Sequence, residues 1–137
     1  MLSEKDIEGV WRLKAHFYLE DDGSTSEGPL GDRADGLLIY HADGYMAASL
    51  MRTEPPTGQS DSPQEAYLGS VDDYLGYSGR WHIRDDDLVV HQVAIGSHSR
   101  VVNTEQVREA RMHKGVLRLQ RRLGGPHAYV VMDWRRV

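Results

Sequence analysis

The chain has 137 residues, a formal net charge of −5, 39% hydrophobic residues and no cysteine. That length predicts one domain over residues 1–137, able to bury roughly two thirds of its unfolded surface. The missing cysteines exclude a disulfide framework, a thiolate metal site and a thiol nucleophile, and they suit a reducing cytoplasm.

The opening MLSEKDIEG lacks an apolar signal core, and no stretch approaches the ~20 apolar residues of a membrane span. The expectation is therefore a cytoplasmic protein with no membrane partner. Charge is unevenly spread: residues 1–87 carry 18 acids and 7 bases, residues 88–137 only 3 acids and 9 bases. A basic C-terminal half invites nucleic acid. No aromatic ladder interleaves the arginines, however, and pairing of the last strand with the first would set the two charge sets side by side. No nucleic-acid partner is expected.

Ser3 and Asp6 can cap a short turn leading into Gly9. From Gly9 to Glu20 a period-2 pattern places Trp11, Leu13, Ala15 and Phe17 on one face of a strand. Gly36–Tyr40 and Tyr45–Met51 flank the turn His41-Ala42-Asp43-Gly44. Pairing Tyr40 with Tyr45 gathers Leu37, Ile39, Met46, Ala48 and Leu50 on one apolar face, the expected interior. Residues 52–62 form a polar loop. Ser62-Pro63 then starts a helix predicted over about 63–75, at a place where a barrel can carry a lid. Strands Tyr77–Ile83 and Leu88–Ala94 follow about the turn Arg84–Asp87. Glu105–Met112 and Val116–Arg122 form another hairpin, and His127–Arg136 is the last strand. The rhythm gives about eight antiparallel strands.

Several stretches together resemble a family. They are GVWRL at the start, GLLIYHADGYMAASLMR at the first hairpin, YSGRWHI and LVVHQV, then NTEQVR and the closing MDWRRV. They resemble the small bacterial lipocalin-like domain, of the calycin type, over nearly the whole chain. The resemblance implies an all-β fold: an up-and-down antiparallel barrel with a cavity for a small organic ligand. It also implies that Trp11 of the G-x-W plugs the closed end, with an arginine of the closing strand packed over it. It fixes no single chemistry, because such barrels serve as carriers, binding modules and cofactor-free enzymes. The family tends to show two adjacent histidines where this chain has His91-Gln92.

The residues themselves suggest where chemistry would sit. Arg108 and Gln106 share a face with Ala110 and Met112. If the hairpin turns at His113–Val116, that face joins Leu117 and Leu119 and points inward. An interior arginine must be paired or bound to a ligand, and its fork suits a carboxylate, enolate or carbonyl oxygen. Tyr77 and Trp81 fall with Ile83, Leu88, Val90 and Gln92, an aromatic wall with Gln92 as its hydrogen bonder. By the same parity His91 lies on the opposite face, and only a β-bulge would turn it inward. None of the seven histidines forms an HxH or HxxxH pair, so no metal and no haem is expected. Neither a phosphate-cradling glycine loop nor a dinucleotide fingerprint appears.

The expected function is binding of a small hydrophobic or amphipathic molecule, with a cofactor-free isomerisation, cyclisation or dehydration in a biosynthetic pathway. Arg108 would steady negative charge, and His91 or Tyr74 would carry the proton. Tyr77, Gln92 and Gln106 would orient the substrate within walls that include Trp81, Met46, Ile39 and Leu50. The alternatives are a carrier using the same pocket without chemistry, and a haem-binding barrel. A monomer or homodimer is expected.

Overall fold

The computed structural model describes residues 1–53 and 73–137. Its elements are a short helix α1 (Glu4–Ile7) and strands β1 (Gly9–Leu19), β2 (Thr25–Glu27), β3 (Asp35–Tyr40), β4 (Tyr45–Met51), β5 (Tyr74–Arg84), β6 (Leu88–Gly96), β7 (Glu105–His113), β8 (Val116–Arg122) and β9 (Tyr129–Arg136). Every neighbouring pair is antiparallel, and β1 pairs with both β3 and β9. The sheet thus closes on itself as eight strands, which leaves no long free edge. Short β2 is the ninth strand, continuing the edge of β1 past β3. The all-β barrel is the architecture the sequence predicts. Of the helix expected over 63–75, residues 63–72 lie outside the described residues. Tyr74 and Leu75 belong to β5.

Inward-facing side chains pack into one cluster around Trp11, Leu38, Tyr40, Trp81, Leu117 and Trp134. One end is closed by α1. The Trp11 indole N–H donates to the Ile7 carbonyl at 2.8 Å, and the Arg136 guanidinium lies 4.2 Å above the same ring. Arg136 also donates to the backbone carbonyls of Asp6 and Glu8. Gly9 makes this possible: its φ is +125°, and a Cβ there would stand 2.7 Å from the Arg136 Nη1. The plug implied by the family resemblance is present.

Three turns and a bulge decide which residues face inward. Lys114 and Gly115, both at positive φ, make a two-residue turn with His113 opposite Val116. Leu117, Leu119, Ala110 and Arg108 therefore point inward, as expected. The first hairpin differs by one residue. Three residues, Ala42 to Gly44, close it, and Tyr40 pairs with Met46 rather than Tyr45. Leu38 and Tyr40 consequently face the interior, while Leu37 and Ile39 are about 40% exposed on the outer face. The same slip occurs at Asp85–Asp87, where Asp86 and Asp87 adopt left-handed φ and Arg84 pairs with Leu88. A one-residue change of register exchanges the two faces of a strand. Hence His91 is inward and Gln92 exposed. In β1 a bulge between Leu13 and Ala15 turns His16 inward, so Ala15 and Phe17 leave the face they were expected to share with Trp11.

Candidate functional site

His91 lies at the centre of a buried polar group. The β3–β4 register points Tyr40 at it from across the barrel, and Tyr77 reaches it from β5. The Tyr40 hydroxyl is 2.6 Å from His91 Nε2, and the Tyr77 hydroxyl is 2.6 Å from Nδ1. Burial, reinforced by the Arg108 charge, lowers the His91 pKa to about 3, so the ring is neutral at physiological pH. A neutral imidazole donates through one nitrogen and accepts through the other. Tyr40 is fully buried, and His91 is its one hydrogen-bond partner among the described residues. If Tyr40 accepted, its own proton would be stranded, at a cost of ~1–3 kcal/mol. Tyr40 therefore donates to Nε2, and His91 Nδ1–H donates to Tyr77. The Tyr77 proton is left free.

Arg108 stands beside this group with 7% of its surface exposed. Its Nη1 donates to the Val107 carbonyl at 3.0 Å, and its Nε–H is buried without a partner. No carboxylate pairs with it among the described residues. Burial lowers its pKa, opposed mainly by the nearby Tyr77 oxygen. Burial in turn raises the Tyr77 pKa, while Arg108 and Arg121 pull it down. Arg121 follows Leu117 and Leu119 in the alternation of β8 but is exposed near the strand's end. The arrangement can offer an oxygen the Arg108 charge and the Tyr77 O–H, with the Tyr77 oxygen held by His91 Nδ1–H.

The structure thus brings together Arg108, His91 and Tyr77 of the expected residues. Trp81 is core: its indole N–H donates to the His41 carbonyl at 2.9 Å, and its ring packs 4.5 Å from Tyr40. Met46 and Leu50 are buried on the inner wall. Gln106 sits opposite His91 on β7, half-buried, with its amide donating to Thr104. Three expected residues lie elsewhere. Ile39 and Gln92 are on the outer face through the register shifts above. Tyr74 is exposed outside, with its hydroxyl donating to Ser49, because it belongs to a strand and not to a lid helix. Tyr40 and Arg121 were not singled out in the sequence, although the alternation Leu38/Tyr40 and Leu117/Leu119/Arg121 carries both. Among the described residues no cluster of three His, Asp or Glu side chains could hold a metal ion.

His91 also predicts a pH dependence. A histidine in an unfolded chain titrates near ~6.5, whereas native His91 resists protonation down to about 3. Burial lowers the His16 pKa as well, which acts in the same direction. The unfolded state therefore binds more protons below ~6.5, so stability is full above that pH and declines on acidification. Between pH 7 and 5.5 the unfolding free energy should fall by about 1 kcal/mol for His91 alone. Denaturant titrations at the two pH values check this, and equal midpoints would show a His91 that protonates freely.

No curated protein matches the chain. Among solved structures it is similar to a lipoprotein, YedD, from Klebsiella pneumoniae subsp. pneumoniae MGH 78578. Identity there is 12%, with 96% of this chain and 71% of that one covered and a TM-score of 0.44. It is also similar to a redesigned β-barrel at 10% identity, covering 98% and 95% of the two chains with a TM-score of 0.46. Among the described residues no helix is long and apolar enough to cross a membrane. The family model of the lipocalin-like domain matches residues 8–136, and with its closed barrel and Trp11 plug this chain belongs to that family.

Proposed function

We propose that the barrel binds a small hydrophobic or amphipathic organic molecule and promotes its cofactor-free rearrangement, an isomerisation, cyclisation or dehydration, in a biosynthetic pathway of the cytoplasm. One observation carries this reading: a buried, unpaired Arg108 beside a neutral His91 held between two tyrosines. A guanidinium steadies charge developing on a substrate oxygen, in a site where water is scarce and electrostatic effects are large. The free Tyr77 proton is the acid that meets that oxygen; the phenolate so formed accepts from His91 Nδ1–H and recovers a proton from the substrate as the rearrangement completes. Met46 and Leu50 offer apolar wall for the rest of the molecule. A carrier would need only the wall. The hydrogen-bonded chain Tyr40–His91–Tyr77 with Arg108 beside it is what favours chemistry.

Native mass spectrometry of freshly purified protein should reveal a bound organic molecule that denaturation releases. Returned to fresh protein in D2O, that molecule should convert or exchange protons. Tyr77→Phe should slow this by about 100-fold or more, the usual weight of a positioned acid. Retention and release of an unchanged, unexchanged molecule would make the protein a carrier.

A further inference from the structure

The polar groups left over inside the barrel are all of one kind. Among the described residues, two buried side-chain polar atoms lack a partner, Arg108 Nε and Trp134 Nε1, and both are N–H donors. The tautomer fixed by Tyr40 adds a third donor, the Tyr77 O–H. Native interiors rarely leave such donors unmet. A second cation, Arg121, stands exposed near the end of β8, next to Arg108 in the β7–β8 register and close enough to act on both Tyr77 and Arg108. Neither arginine meets a carboxylate among the described residues. The acids that pair elsewhere on these strands, such as Asp133 with Arg118, do so on the outer face. Arg108 and Arg121, with the spare Arg108 Nε–H and Tyr77 O–H and no anion beside them among the described residues, describe half of a binding site.

We infer that the ligand is an organic acid, held by its carboxylate between Arg108 and Tyr77, with Arg121 adding its charge and the hydrocarbon part lying along Met46, Ala48 and Leu50. This rests on the proposed reading of the interior as a small-molecule site, and it names the class of molecule that site takes. A carboxylate supplies the acceptor lone pairs that Arg108 Nε–H and Tyr77 O–H lack, and its planar oxygens match the guanidinium fork. An alcohol would leave the guanidinium charge uncompensated, and an amine would add a third cation.

Isothermal titration with octanoate, octan-1-ol and octylamine separates these cases. The wild-type protein should bind octanoate about tenfold or more tightly than octan-1-ol, the weight of one charge-assisted hydrogen bond, with octylamine weakest. Arg108→Met should erase the preference for the acid while retaining octan-1-ol. Arg121→Gln, at an exposed position whose loss leaves folding intact, should weaken octanoate by a smaller factor and reduce its salt dependence. Equal affinity for octanoate and octan-1-ol overturns the acid while leaving a small-molecule site. Acid preference that survives Arg108→Met places the anion elsewhere and overturns it too. If none of the three probes binds, both the inference and the reading beneath it fall.

Discussion

Arg108→Met should raise the stability of the ligand-free protein by roughly 1–4 kcal/mol, the gain seen when buried charge gives way to apolar volume. The direction is opposite to that of most core substitutions, which destabilise. It follows from the surroundings: a guanidinium 7% exposed, with one backbone carbonyl as its acceptor, an orphaned Nε–H and no carboxylate beside it among the described residues. Burial already lowers its pKa, a sign that the charge is resented there. Methionine keeps the length and much of the volume at this position opposite Val89. Were Arg108 half of a structural ion pair, the same change would strand its partner and cost about 3–5 kcal/mol. Thermal and denaturant midpoints of the purified variant read the sign directly. A gain in stability joined to a loss of acid binding is the signature of a residue kept for function.

The inward direction of Arg108 was legible in the sequence, and that of His91 was not, for a physical reason that lies in the turns. The Lys114-Gly115 hairpin has the residues of a two-residue turn with both φ angles positive, so the register of β7 and β8 follows from the sequence. The parity of Arg108, Ala110, Met112, Leu117 and Leu119 follows with it. At His41–Tyr45 and Arg84–Leu88 the loop closes with three residues instead of four, and each miscount exchanges inner and outer faces. Alternation offered no correction. Leu37, Leu38, Ile39 and Tyr40 are apolar or aromatic on both sides of the strand, and Leu88, Val89 and Val90 repeat the problem. Where both faces are apolar, a period of two carries no sign. A four-residue count therefore puts Ile39 and Gln92 inside and His91 outside. Tyr74 was misplaced for another reason: a helix start at Ser62-Pro63 has no visible stop before β5. The barrel survives such errors because closure depends on the number and order of strands. A site depends on which way each side chain points.

Trp11→Ala should destabilise the protein by about 3–5 kcal/mol, the range for emptying a large aromatic core position. Trp11 is completely buried, and its indole is held from two sides. Its N–H donates to the Ile7 carbonyl, which fixes α1 across the end of the barrel, and Arg136 covers the opposite face of the ring. Removing the ring leaves a cavity that the closed sheet cannot collapse to fill, since β1 is hydrogen-bonded on both edges. It also strips an acceptor-bearing carbonyl at Ile7 of its donor and leaves the Arg136 guanidinium with only the backbone carbonyls of Asp6 and Glu8. Those effects are coupled, so Arg136→Met should cost far less in the Trp11→Ala background than in the wild type. A four-member denaturation cycle measures both numbers. A wild-type midpoint for Trp11→Ala would remove Trp11 from the core, and additive losses would mean that ring and guanidinium stabilise the plug independently.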